Sequence, residues 1–402
     1  MAGPGADEVV SLLGDLVAIP SINPAFRQEG DPALWFGEAS VAGYVADWLR
    51  RLGLAVRLDE VLPGRANVVA TLKGKAGRGR LIWEGHTDTV QVAGMSIPPF
   101  TPELRDGRLH GRGAVDDKGC LTAMMLALAE LVRDPPALDV TFVAAVDEEY
   151  QFRGVLHHLR HAEKAGCHGP PVLGGIAGEP TELRIITACK GCMRWRIEVK
   201  GRSAHSSQPQ EGIDAIAIAA DLLAHLRSAY GPVLSARVHP LVGSPTLICS
   251  LIEGGQGPNT VAERCLLTFD RRTQPGESGQ AAWEEIAALV QNYARRLPPG
   301  AALINHPPFI DSVSMEVAPE AAIVRAARAV CRDEGLEDAP MGVAFGSDAS
   351  KMTTAGIPTI IFGPGSIDQA HTADEFVAVD EVARAARMLA AMARRIDAEA
   401  NG

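Results

Sequence analysis

Between Asp7 and Ile19 the apolar residues Val9, Leu12, Leu13, Leu16 and Val17 recur every three or four positions, the spacing that gives a helix one apolar face. Pro20 to Pro24 stops it. The same spacing at Val41, Val45, Trp48, Leu49 and Leu52 predicts a second helix over 38–52, with Gly53 just past its end. Val68–Leu72 and Leu81–Trp83 read as strands on either side of the glycine-rich turn KGKAGRG. Leu121–Val132 predicts a helix, and VTFVAAV (140–146) is a continuous apolar run of the kind buried on both faces of a sheet. A helix over Phe152–Ala165 and a short apolar strand over Val172–Ala177 follow. Strands alternating with helices in this way predict an α/β sheet with helices on both faces.

The texture then changes. MRWRIEVK (193–200) alternates as a half-exposed strand does, and an amphipathic helix is predicted over Ile213–Ser228. Strands over Thr246–Ile252 and Cys265–Asp270 and a helix over Ala281–Arg296 complete a stretch whose sheet has one solvated face. After Pro298-Pro299-Gly300 a helix over Pro319–Arg332 and the apolar strand Thr359–Phe362 restore the first texture. The expected fold is therefore an α/β domain with a mixed sheet, formed by residues 1–188 and 304–402 and interrupted by a smaller α+β domain at 189–303.

At 402 residues, 47% apolar and 22% charged, the chain can bury more than one core. A net charge of −11 with no basic stripe excludes binding to a nucleic-acid backbone. The longest apolar helical stretch, Leu121–Val132, is too short for a bilayer. Met1–Val10 shows no basic segment followed by an apolar one, so no secretory signal is expected. Seven cysteines spread through a long chain fit reduced thiols in the cytoplasm better than a disulfide framework.

In open α/β sheets, sites form beyond the carboxyl ends of the strands. His86 and Asp88 follow LIWEG, a histidine and a carboxylate spaced so that Asp88 can accept the spare ring N–H and orient the imidazole. Glu148 and Glu149 follow VTFVAAVD, Glu179 follows VLGGIAG, and His371 comes shortly after TIIFGPG. Asp116 sits in GRGAVDDKG, a turn leading into the Leu121–Val132 helix. His86, Asp116, Glu149, Glu179 and His371 converge on one sheet edge. Imidazole and carboxylate without thiolate suit zinc, with cobalt or manganese as alternatives. Five such ligands exceed one catalytic zinc and suit two metals about 3.5–4 Å apart, bridged by a carboxylate and a water-derived ligand. Glu148, next to a ligand but pointed elsewhere, can take a proton from the water and deliver it to a leaving nitrogen.

These residues resemble the metallopeptidase/deacylase group of acetylornithine deacetylase, succinyl-diaminopimelate desuccinylase, carboxypeptidase G and aminoacylase, the M20 peptidases. The resemblance runs through SINP, GHTDTV, GRGAVDDKG, VDEE, GEPT, GRSAHSS, GGQGPNTV with DRRTQPGE, and FGPGSIDQAH, and so covers nearly the whole chain. It implies that His86, Asp116 and Glu149 hold one zinc and that Asp116 bridges to a second held by Glu179 and His371. It implies Glu148 as general base and acid, and a cis peptide between Asp116 and Asp117. The inserted domain becomes a lid and dimerisation domain whose His205 donates to the oxyanion in a partner subunit, as part of a homodimer. Asn259 and Arg272 match a substrate-contacting pair, with Arg272 clamping an α-carboxylate. Ser347 and Asp348, in FGSDAS, stand where relatives contact substrate. Three departures from the family pattern, Ala262, Cys120 and Cys189, touch none of these ligands.

The activity so implied is hydrolysis of the amide bond of an N-acyl amino acid, with a dipeptidase or carboxypeptidase as the alternative and a non-catalytic metal-binding protein as the rival class. Other motifs carry less. Cys189 and Cys192 form a CxxC with no second pair to complete a zinc ribbon. His157 and His161 lie four apart on a helix without the glutamate of a metalloprotease motif. GRGAVD lacks the last glycine of a dinucleotide fingerprint, and no phosphate loop or serine-hydrolase elbow occurs.

Overall fold

The computed structural model describes residues 3–164 and 170–399. Ala165, expected at the end of a helix, and the first two residues of the opening segment lie outside the described residues. The chain divides into two compact units.

The first unit takes in Met1–Thr187, Val317–Met341 and Ser347–Gly402. Its sheet runs in the order Ala55–Leu62, Arg65–Leu72, Asp139–Ala145, Arg80–His86, Val172–Ala177, Thr359–Ile361, Ile186–Cys189. The four strands from Asp139–Ala145 to Thr359–Ile361 are mutually parallel, while Arg65–Leu72 and Ile186–Cys189 join antiparallel. The fold is thus a mixed α/β sheet. Parallel neighbours must be buried on both faces, and Asp139–Ala145 is buried at every position. Because the four run the same way, their carboxyl ends open on one edge.

The helical stripes account for the covering layer. Ala6–Ala18 buries Val9, Leu12, Leu13, Leu16 and Val17, and its first turn is closed by the Gly5 N–H donating to Glu8 Oε2 at 2.9 Å. Ala39–Arg51 ends with Gly53 at φ +82°, a left-handed residue past the cap. Lys118–Arg133 packs against the long helix Val379–Glu399, which the sequence reading leaves unassigned. Its buried face, Val382, Ala383, Ala386, Leu389, Ala390, Ala393 and Ile396, is rich in alanine, and the half-exposed Arg384, Arg387, Arg394 and Arg395 lie on the other side. The edge strand Ala55–Leu62 was also missed, because it exposes most of its length and carries Arg57, Asp59 and Glu60.

The helix expected over Phe152–Ala165 is preceded by a separate turn, Glu148–Gln151, flanked by Asp147 and Phe152 in left-handed conformation, and then runs from Arg153 to Lys164. That helix buries His158, whose Nδ1 has no hydrogen-bond partner among the described residues. Burial and the Arg57 charge lower its pKa to about 4 from an ordinary 6.5. Between these values the unfolded chain binds a proton that the folded chain refuses, so His158 costs stability as pH falls from 6.5 toward 4. The shift corresponds to at most about 3 kcal/mol. Urea unfolding at pH 7 and pH 4.5 should therefore show a smaller acid-induced loss in His158→Gln than in the parent chain. An equal loss in both would remove His158 as the cause.

The second unit comprises Ala188–Glu316 and Gly342–Gly346. Its antiparallel sheet has the order Thr246–Gly254, Arg264–Thr273, Gly191–Lys200, Ala302–Asn305, with Ile310–Ser312 also pairing to Gly191–Lys200. Met193, Trp195, Ile197 and Val199 point to the helices Ala215–Ala236 and Gly279–Ala294, while Arg194, Arg196 and Glu198 alternate outward. The first helix continues past its expected end at Ser228, through Pro232. Leu222, Leu226, Tyr230 and Leu234, four apart, are all buried, and that burial outweighs the backbone bond lost at the proline. This unit runs on to Glu316 rather than ending at 303. Pro298-Pro299-Gly300 is a turn within it, because Ala302–Asn305 and Ile310–Ser312 both pair with the unit's central strand. Among the described residues no helix is long and apolar enough to cross a membrane.

Candidate metal centre

Arg80–His86 lies between two parallel neighbours, with His86 opposite Ala145 on one side and Glu84 opposite Ala177 on the other. Gly178 N–H donates to Glu84 O at 2.7 Å, which places Glu179 beside His86. A side chain at position 85 would meet the Asp117 carboxylate, so only glycine fits between Glu84 and His86. Asp117 Oδ2 accepts the His86 N–H at 3.0 Å, and the peptide joining Asp116 to Asp117 is cis. Asp116 is held from behind by Glu375, whose Oε1 accepts the N–H groups of Val115 and Asp116 at 3.0 and 3.2 Å. Glu375 pairs in turn with the buried Arg112. Sequence reasoning missed Glu375, since one acidic residue after a loop histidine carries no periodic signal.

Two groups of side chains meet on Asp116. His86, Asp116 and Glu179 form one, and Asp116, Glu149 and His371 the other, with donor atoms within 4.8 Å of one another in each. His86 Nε2 is 2.9 Å from Asp116 Oδ1, and His371 Nε2 is 3.1 Å from both Asp116 Oδ2 and Glu149 Oε1. The expected ligand set is therefore gathered in one place, with one oxygen of Asp116 toward each histidine. The expected pairing of the two glutamates is exchanged, however. Glu179 goes with His86 because their strands are adjacent and parallel. Glu149 goes with His371 because the turn after Asp147 lifts it off the strand end toward the His371 loop.

Two further expectations need correction. Asp88 does orient His86, but through its backbone: Nδ1 lies 2.9 Å from Asp88 O and 3.7 Å from the carboxylate. The carboxylate instead accepts the N–H groups of Glu148 and Glu149 at 3.1 and 3.2 Å. Ser347 and Asp348 are 0% and 2% exposed, with Asp348 against Glu84 and Lys351. They offer no surface to a substrate, because FGSDAS turns inward to start the helix Ala349–Thr354.

The electrostatics are those of a crowded anionic site. Burial opposes charge on His86, yet its hydrogen bond to Asp116 prevails and raises its pKa well above the ordinary range. Against burial, Asp116 and Glu149 lift His371 to about 10. Burial also pushes Asp116 up, but hydrogen bonds from His371 and His86 hold it below the carboxylate range. Burial and the Asp116 charge raise Glu149 to about 7. Burial first, and then neighbouring carboxylates, raise Glu179 and Glu148 well above theirs. Four carboxyl groups thus share two imidazoles. Divalent cations would displace the imidazole protons, ionise the glutamates and turn both Nε2 atoms into ligands. The nitrogen and oxygen donors fit that role.

Residues 82–395 match the family model for peptidase family M20/M25/M40. The chain belongs to this family. It is accordingly a metal-dependent hydrolase of amide bonds. It is 29% identical to acetylornithine deacetylase of Vibrio cholerae over 358 residues, covering 88% of this chain and 90% of that protein. Identity to acetylornithine deacetylase of Vibrio campbellii is also 29%, over 87% of this chain and 89% of the other. In fold it resembles a tripeptidase from Staphylococcus aureus, with a TM-score of 0.80 at 21% identity over 99% of this chain and 100% of the other. Human carnosine dipeptidase 1 superposes with a TM-score of 0.76 at 20% identity over 98% and 96% of the two chains. A dinuclear metal-binding M20 peptidase from Bacillus subtilis gives 0.69 at 16% identity, over 97% of each.

The substrate-contacting residues expected for this M20 chain outside FGSDAS, and His205, lie in its second unit. His205 is exposed and bridges to Thr260, and the Ser206 N–H donates to Asn259 O at 3.0 Å, so His205 and Asn259 are neighbours. Arg272 stands on the strand Arg264–Thr273 with its Nε donating to Asp270 Oδ1 at 2.9 Å. Cys192 Sγ donates to Asp270 Oδ2 at 3.5 Å. Neither the Cys189/Cys192 pair nor the stacked His157 and His161 belongs to a group of three metal-binding side chains among the described residues.

Proposed function

We propose that this chain is a dizinc deacylase that removes the acyl group from an N-acyl amino acid, in the manner of acetylornithine deacetylase and succinyl-diaminopimelate desuccinylase. What carries the reading is the meeting of two ligand groups on Asp116 with the buried carboxyl of Glu148 beside them and outside both groups. His86, Asp116 and Glu179 would hold one zinc, and Asp116, Glu149 and His371 the other. Bound zinc would polarise the scissile carbonyl and acidify the attacking water. Glu148 takes the water's proton on its carboxylate and hands it to the departing nitrogen; burial, by raising its pKa, makes it a better acceptor than an exposed glutamate. His205 Nδ1 lies 2.7 Å from Ser207 Oγ and 3.2 Å from the Ser207 N–H; with Nδ1 as acceptor of both, the ring proton is on Nε2. His205 can therefore donate to the oxyanion from a partner copy, and Asn259 and Arg272 bind the substrate carboxylate.

The zinc-loaded protein should be assayed on N-acetylornithine, N-succinyl-diaminopimelate, other N-acetyl amino acids and a set of dipeptides. Higher kcat/KM on an N-acyl amino acid than on any dipeptide is expected. Hydrolysis of dipeptides alone would replace the deacylase reading with the dipeptidase one.

The partner copy would cover the edge strand Thr246–Gly254, where Ile248, Leu251 and Ile252 are 58%, 58% and 57% exposed. Apolar residues so placed on an edge strand invite a second chain. Sedimentation should give a dimer for the parent chain and a monomer for Ile252→Glu; a monomeric parent would exclude this assembly. Free cysteines among the described residues fit a reducing cytoplasm.

A further inference from the structure

We propose that Asn23 and Arg65 are positioning residues for the reaction, acting through Asp147 on the turn that presents Glu148. The proposal rests on the role given to Glu148 above.

Asp147 is fully buried and left-handed, with φ 66° and ψ 31°, a conformation that aspartate takes up more readily than most residues other than glycine. Glu148 is the next residue, so the Asp147 backbone sets the direction in which the Glu148 side chain leaves. Arg153, six residues on, lies 2.7 Å from Asp147 Oδ2, and three side chains from distant parts of the sequence hold the rest of the residue. Asn23 Nδ2 donates to Asp147 Oδ1 at 3.0 Å, and Arg65 Nη2 donates to the same oxygen at 3.1 Å. The Asp147 N–H donates to Glu38 Oε1 at 3.2 Å. Arg65 is itself fixed by a two-pronged bond to Glu38, Nε to Oε2 at 2.6 Å and Nη2 to Oε1 at 2.5 Å. A planar guanidinium locked in this way fixes direction as well as distance.

Asn23 does a second thing. Its Nδ2 also donates to Asp88 Oδ2 at 2.7 Å. Asp88 accepts the N–H groups of Glu148 and Glu149, so it holds the front of the turn while Asp147 holds the back. Two buried carboxylates flanking one turn repel each other, and the two donors of a single amide join them. The amide cannot flip out of this role, because Asn23 Oδ1 already accepts the Ala25 N–H at 3.0 Å. Neither Asn23 nor Arg65 belongs to either metal-binding group. Without them Asp147 keeps only its Glu38 and Arg153 contacts, the link between Asp147 and Asp88 is lost, and Glu148 moves off its line to the substrate.

The test uses Asn23→Leu, which keeps size and removes both donors, and Arg65→Lys, which keeps charge and removes the fork. At saturating zinc, kcat should fall about 10- to 100-fold, the loss expected when a reacting group is displaced by about an ångström. KM should stay within a factor of about three. In metal-free protein, amide hydrogen exchange over 147–152 should speed up while the rest of the first unit and the thermal midpoint stay near the parent's. Arg65→Lys should lose less than Arg65→Met. Glu148→Gln serves as the reference. If Glu148→Gln is inactive and the Asn23 and Arg65 variants keep parental kcat and slow exchange, positioning is refuted and the function stands. Faster exchange throughout the chain would likewise refute it, as plain destabilisation. Full turnover in Glu148→Gln would remove both the function and the proposal.

Discussion

Glu148→Gln is expected to lower turnover of an N-acyl amino acid by about 10²- to 10⁴-fold, the usual worth of a general base and acid, with zinc bound per chain unchanged. Glutamine keeps the shape of the side chain and its N–H bond to Asp88, which is a backbone contact. What it removes is the proton acceptor. Glu148 lies outside both ligand groups, so the metal sites keep their donors. Burial and the carboxylates around it push its pKa up, with His86 pulling the other way. A base works only when deprotonated, so in the parent enzyme kcat/KM rises with pH through the Glu148 ionisation. That acid limb should vanish in the variant. Metal analysis and a pH profile check this together; parental turnover with two zincs bound would end the mechanism.

The second large effect concerns metal content. Asp116→Asn should reduce bound zinc from two per chain to less than one, with activity falling by more than about 10³-fold. Asp116 is the one residue common to both groups, with Oδ1 toward His86 and Oδ2 toward His371. An amide offers one neutral oxygen where the carboxylate offers two charged ones. His371→Ala should behave differently. His371 belongs to a single group and its side chain is half exposed, so its loss should cost one zinc and spare the site built on His86 and Glu179. The contrast is the informative result. If both variants lose the same single zinc, Asp116 does not bridge, and the two groups are not a shared centre.

The contrast also shows how far local pattern reached. GHTD, VDEE, GEPT and the histidine after FGPG announce themselves because each follows an apolar run, and apolar runs of that length become central strands. Helix faces were equally legible where large apolar residues recur every three or four positions, as at Val9–Val17. Val379–Glu399 has the same spacing, with Val382, Leu389 and Ile396 buried and Arg384, Arg387, Arg394 and Arg395 on the other side, but it holds no candidate ligand and is unassigned in the sequence reading. Asn23 and Asp147 stand inside SINP and VDEE, but their roles and that of Glu375 are not legible there, because their partners lie far along the chain.

By itself, then, the sequence determined the alternation of elements, the insertion and the set of residues that gather at one sheet edge. Periodicity records which side of an element faces inward, and the strand ends follow from it. Only the tertiary structure decided which carboxylate meets which imidazole, that Asp88 orients His86 by its carbonyl, that Ser347 and Asp348 are buried, and that the second unit runs to Glu316. Those outcomes depend on sheet order and on where loops return. Glu179 meets His86 because Val172–Ala177 pairs in parallel beside Arg80–His86, and Glu149 meets His371 because a left-handed Asp147 turns it away. Pairing across hundreds of residues is set by packing, and packing leaves no period in the chain.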